Sequence, residues 1–214
     1  MIQIQAITIG IYYYTVDGLG LPVETILWFN LSFLAVNFIS IPFWMKLIKK
    51  VGARKGLLYS LACGIIPTPF YLLFAWSFWP ALLIGMVGGI GNGGQGVVFT
   101  VAYSEAIDNA SVQSGKREET SYVGVLRFFT TTGILWQVLM FMIVASITGY
   151  NPNIEYDYAK GIRPSEAARI GLNAQISVIP AGISLIAALI YFKFNKITKE
   201  VAIENKNKLL QMGL

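Results

Sequence analysis

The sequence predicts an all-α, polytopic membrane protein, a bundle of six transmembrane helices. Three observations carry that prediction. Residues 56–104 form a run of 49 without Asp, Glu, Lys or Arg, too long for a core strand or helix of a water-soluble domain. The composition is 55% hydrophobic and 13% charged, with a mean hydropathy of +0.61, against about 25% charged residues in ordinary globular chains. Finally, the charges return in short clusters that divide the rest of the chain into further apolar stretches. Only helices and closed barrels satisfy their backbone groups in lipid, and continuous apolar runs, unlike short alternating ones, select helices.

In chain order the six segments are residues 1–16, 25–45, two within 56–104 joined at 76–80, 128–154 and 170–192. A hydrocarbon core roughly 30 Å thick takes roughly 20 helical residues to cross, so 56–104 is long enough for two crossings. The first segment is short for a crossing and opens without a polar flank, which predicts a truncated start. No basic region precedes it, which argues against a cleaved signal peptide. Residues 1–194 therefore read as the bundle and 195–214 as a basic cytoplasmic tail.

The net charge of +5 does not point to nucleic acid, because its location follows the membrane. Lys46, Lys49, Lys50, Arg54 and Lys55 lie between the second and third segments, Lys116 and Arg117 between the fourth and fifth, and Lys193, Lys196, Lys199, Lys206 and Lys208 at the end. The opposite connections carry only Lys160, Arg163 and Arg169. By the positive-inside rule both termini are cytoplasmic, and the cell (plasma) membrane is the expected location. Asp17 and Glu24 are expected as solvated charges at the outer edge. The lone Cys63 excludes an intrachain disulfide, and the absence of His removes the commonest proton shuttle and metal ligand. No constellation of nucleophile, base and oxyanion donors is visible outside the apolar segments, so no enzyme is expected.

Gly89, Gly91 and Gly94 fit a dinucleotide-binding spacing, but no strand precedes them and no soluble βαβ unit surrounds them. The spacings Gly85 to Gly89 and Gly89 to Gly93 read instead as small residues that let helix backbones approach. Asn30 and Asn109 each begin an N-x-S acceptor pattern, the first inside an apolar segment and the second on the cytoplasmic side.

Polar side chains inside the apolar segments fall on helical faces. Asn30 and Asn37 share one, Asn92 and Gln95 continue through Phe99 to Tyr103, Arg127, Thr130 and Gln137 share another, and Asn173, Ser177 and Ser184 a fourth. Intramembrane polar groups face a bundle interior or a wet cavity. Asn30, Asn37, Asn92, Gln95 and Gln137 are the candidate solute contacts; the alternative for the amides is helix packing, worth only about 1 kcal/mol per hydrogen bond. Arg127 reads as a snorkelling residue or a partner of Glu118 or Glu119, and the last stripe as packing.

The cytoplasmic connection reads Glu105, Ala106, Ile107, Asp108, then Ser114, Gly115, Lys116, Arg117, Glu118, Glu119, with Tyr122 nearby. It resembles the acidic-x-x-Asp followed by Gly-Lys-Arg-x-Glu and a Tyr in the second half of the glycoside-pentoside-hexuronide:cation symporters. These melibiose-permease-like transporters belong to the major facilitator superfamily. The tyrosines at 12–14 and the stretch 42–55, with Gly52, Arg54 and Lys55 as a degenerate form of the superfamily's basic loop, fit the same alignment.

The resemblance implies the C-terminal six-helix half of a secondary transporter. Glu105, Asp108, Gly115, Lys116, Arg117, Glu119, Tyr122 and Arg127 would then form a cytoplasmic gate. Glu105 stands where that family has Asp, and Thr130 or Thr131 near its membrane Lys. The implied coupling ion, Na+ or H+, is held in that family mainly by the other half, so no site for it is assigned in this chain, and no cofactor or metal site is expected. The expected partners are the lipid bilayer, a small solute such as a sugar, and an N-terminal six-helix bundle or a second copy. A homodimeric half-transporter and a non-transporting membrane scaffold or decayed gene fragment are the alternative readings.

Overall fold

The computed structural model describes residues 10–117 and 119–213, and among them the only non-helical pairing is an isolated bridge between Asp157 and Ile162. A π-helical turn, Tyr14–Gly18, is followed by α1 (Thr25–Ile65), α2 (Thr68–Phe74), α3 (Phe78–Ser114) and α4 (Glu119–Thr148). The chain continues with α5 (Glu166–Ile176), α6 (Val178–Phe194) and α7 (Lys199–Met212). Four helical stretches among the described residues are long and apolar enough to cross a membrane: Thr25–Phe74, Phe78–Ser114, Glu119–Thr148 and Glu166–Phe194.

The first of these, 50 residues long, would reach about 75 Å if straight. It is folded back on itself. Gly52 interrupts α1 at φ 81°, ψ 164°, a conformation open essentially to glycine alone. Before it, the chain runs along α3 in the same direction: a methyl group on Gly89 would lie 2.9 Å from the Phe33 carbonyl, and Trp44 packs on Gly94. After it, the direction reverses. Gly56 faces Val98, Ser60 faces Gly94 and Gly64 faces Gly91. The turn at Gly52 falls inside the basic cluster from Lys46 to Lys55, where the sequence places the boundary between the second and third segments.

The joint expected at 76–80 lies at residues 75–77, between α2 and α3. The last apolar segment, expected as one helix, is broken at Ser177 (φ −115°, ψ −89°). Pro180 has no N–H to return to the Ile176 carbonyl, and the Ser177 hydroxyl donates to the Asn173 carbonyl at 2.7 Å. Residues 105–114, expected within a loop, are the last turns of α3, which ends at Gly115 in the left-handed conformation (φ 69°). The tail is likewise helical along Lys199–Met212, with Thr198 as its N-cap.

Side-chain contacts define two ends of the bundle. At one, the Lys199 ammonium donates to the Lys49 carbonyl at 2.7 Å, the Arg54 guanidinium to the Phe192 carbonyl at 3.0 Å, and the Asn205 amide to Asn109 at 3.0 Å. The tail helix thus straps the Gly52 turn to the end of α3. At the other end, the Tyr14 hydroxyl donates to the Ala75 carbonyl, Arg169 donates to the Gly18 carbonyl at 2.9 Å and covers the Trp76 ring at 5.7 Å, and Tyr158 donates to the Asp17 carbonyl at 2.7 Å. Asp17, expected as a solvated charge, is half-buried there, and its carboxylate accepts a hydrogen bond from Tyr150.

Candidate functional site

The α3 helix carries seven glycines between positions 85 and 96, each costing about 1 kcal/mol of helix propensity relative to alanine. Gly85 faces the Tyr71 hydroxyl, and the surroundings of the other six divide them into two sets. Gly89, Gly91, Gly93 and Gly94 meet the neighbouring arms directly: a methyl group would lie 2.7 Å from the Gly64 Cα at Gly91, 2.5 Å from the Asn37 carbonyl at Gly93 and 2.7 Å from the Ser60 Cβ at Gly94. Close approach of this kind is how small residues hold apolar helices together in lipid. The Ile90 carbonyl adds a bond, accepting from the Trp44 indole at 2.8 Å. A methyl group on Gly88 or Gly96 would meet nothing within 4 Å among the described residues outside its own helix, and the missing side chains leave open space.

Asn92 and Gln95 stand between those two open glycines. Gln95 is only 9% exposed and borders two cavities. The narrower, of about 50 Å³, is also lined by Asn92, Gly88, Gly64, Tyr71 and Ile176. The wider, of about 360 Å³, is lined by Gln95 with Leu57, Gly96, Phe99, Thr100 and Tyr191. Phe99 stacks on Tyr103 with centroids 6.2 Å apart, so the expected polar and aromatic stripe is continuous from Asn92 to Tyr103. Amides and a hydroxyl beside aromatic faces in an otherwise apolar wall can hydrogen-bond and stack on a small neutral polar molecule.

The other candidate contacts are not brought to this place. Asn30 is exposed and Asn37 half-buried, and neither lines the two cavities that Gln95 borders. Gln137 is buried, but on α4, against a separate cavity of about 230 Å³. That cavity also receives Gln175, a residue the sequence reading passed over because it falls off the Asn173, Ser177, Ser184 face. Asn173 itself is fully buried and donates to the Tyr71 carbonyl at 2.9 Å, a helix-to-helix bond.

Of the gate residues, Glu105 and Asp108 lie on the last turns of α3, Gly115 caps it, and Lys116 lies in the connection that follows. Arg117 pairs locally with Glu119 at 2.6 Å, both about half exposed. Tyr122 and Arg127 are exposed on α4.

Residues 4–199 match the family described as MFS/sugar transport protein. The chain belongs to that family. No curated protein matches it. As a member of this major facilitator superfamily group with four long apolar helices, it is an integral membrane protein of a solute-transport family, one that is generally not enzymatic.

Proposed function

We propose that this chain is the C-terminal bundle of a secondary active transporter that moves sugars or other small polar solutes by alternating access, coupled to a cation. In this reading it crosses the plasma membrane six times, with both termini in the cytoplasm. The crossings are the first apolar segment, of which residues 1–9 lie outside the described residues, the two arms on either side of Gly52, α3, α4, and α5 with α6. Transporters of this class bind solute near the bilayer midplane between two bundles that rock about it, and binding energy must differ between the two access states to drive the exchange. The observation that carries the reading is Gln95, a buried amide bordering two cavities in the middle of a glycine-rich apolar helix.

The gate in this reading is the end of α3 with its connection, which carry Glu105, Asp108 and the Arg117–Glu119 pair, and α7 holds that end through the bond from Asn205 to Asn109. A companion bundle, supplied by an N-terminal half or a second copy, would complete the solute site. The broad apolar surface of α4, with Leu135, Leu139, Met142 and Ile147 all at least half exposed, can meet either lipid or that companion bundle.

The test is a screen of the protein, joined to its companion bundle, in lipid nanodiscs against monosaccharides, disaccharides, glycosides and polyols, read as thermal stabilisation. It is followed by uptake into proteoliposomes under Na+ and proton gradients. A solute that stabilises the wild type and loses at least about tenfold in affinity in Gln95→Leu, with the unliganded melting temperature retained, supports the assignment. Equal losses of stability with and without solute, at unaltered affinity, would assign Asn92 and Gln95 to packing.

A further inference from the structure

We propose that the cavity between α4 and the α5–α6 break is a second binding site, for an uncharged amphiphile that presents a hydroxyl group on an apolar body. Gln137 and Gln175 are each 3% exposed, and neither the nitrogen nor the oxygen of either amide has a hydrogen-bond partner among the described residues. Buried polar groups without partners are rare and costly to leave unpaired. Two whole amides opening on one cavity form a donor and acceptor set that awaits a ligand.

The rest of the lining defines the ligand's other half. Trp136, Met140, Ile179, Pro180 and Ile183 complete a wall of about 230 Å³ that contains no charged side chain. An ionic headgroup would find no counter-charge there and would have to shed its hydration. A hydroxyl suits the amides because it donates to a side-chain oxygen and accepts from a side-chain nitrogen at once. The space is many times what one bridging water needs, and its wall is too apolar to hold a water cluster.

The backbone gives an independent sign. The helical stretch Glu166–Phe194 is broken at Ser177 beside this cavity, and Pro180 cannot donate to the carbonyl of Ile176. Irregular backbone at membrane depth is tolerated where it is buried in protein or lines a cavity. None of the residues lining this cavity lines either cavity bordered by Gln95, so the two sites are separate and this one does not depend on the transport assignment.

Trp136 in the wall supplies the readout. In nanodiscs of saturated phosphatidylcholine, 11-bromoundecanol should quench tryptophan fluorescence saturably, and the saturable part should vanish in Trp136→Phe. 1-Bromoundecane, which lacks the hydroxyl, should quench only in proportion to its partitioning. The double variant Gln137→Leu/Gln175→Leu should raise the half-saturation concentration at least about tenfold, and Ile183→Trp, which fills the space and leaves both amides, should abolish saturation. Competition by a short alkyl glucoside below its micellar concentration would assign the site to a solute, and competition by a monoacylglycerol alone would assign it to membrane lipid. Equal quenching by alcohol and hydrocarbon, or saturation that survives in the double variant, would overturn the proposal.

Discussion

The face of α3 that meets the two arms of α1 and the surface of α4 both belong to helices apolar enough to cross a membrane, yet they are opposite in packing. Along α3, Gly89, Gly91, Gly93 and Gly94 bring backbones into contact, and Val98 is fully buried. Along α4, among the described residues, only Gly133 and Gln137 are buried, and Ile147 is 80% exposed. In lipid no hydrophobic force drives helices together, so small residues and interhelical hydrogen bonds decide which helices pack. Bulky aliphatic side chains on α4 face lipid or another bundle. Hydropathy therefore reports crossing, and glycine spacing reports contact.

The largest expected effect tests that contrast within one helix. Gly91→Val would drive a side chain into the Gly64 backbone and should cost at least about 3 kcal/mol or abolish the folded protein. Gly96→Ala, with open space beside it, should leave stability unchanged or raise it by about 0.5 kcal/mol. Thermal unfolding in nanodiscs measures both, and similar losses would break the distinction between contact and cavity glycines.

Next in size is Asn173→Leu, which removes the helix-to-helix bond to the Tyr71 carbonyl, leaving that carbonyl the Ala75 N–H alone, and should cost about 1 kcal/mol in the same assay. Leu135→Ala and Ile143→Ala on the open surface should each change stability by less than about 0.5 kcal/mol. A larger loss would mean that α4 is covered in the folded protein.

The smallest effect is a dependence on pH. Burial raises the Asp17 carboxyl above its ordinary value, with the hydrogen bond from Tyr150 pulling it back. The folded protein therefore holds this proton to higher pH than the unfolded chain does, so stability falls as pH rises from the ordinary carboxylate range through the raised value. Asp17→Asn should remove that decline. Parallel melting curves for the two proteins between pH 3.5 and about 7 would refute it.

The apolar segments were legible because charge density and run length are properties of composition. The Gly52 reversal was legible as a basic cluster, and the joint before α3 as a break between two long runs. The Asn92 to Tyr103 stripe was legible from helical spacing. Three features were not. The break at Ser177 arises from Pro180 acting together with a serine side chain that bonds its own helix, a local competition that hydropathy does not register. The helical strap α7 has a polar sequence and takes its place from bonds to Asn109 and Lys49, residues far away in the chain. Gln175 escaped because one face was followed through positions 173, 177 and 184, and the break turns a neighbouring residue toward α4.

The central claim is that the chain reverses at Gly52 and so carries its basic turn to the end of the bundle opposite Ser165. In a Cys63→Ser background, K50C and S165C are treated with a membrane-impermeant thiol reagent on intact cells and again after permeabilisation. The account predicts that S165C labels from outside and that K50C labels only once the membrane is opened. Labelling of both from the same side would contradict it.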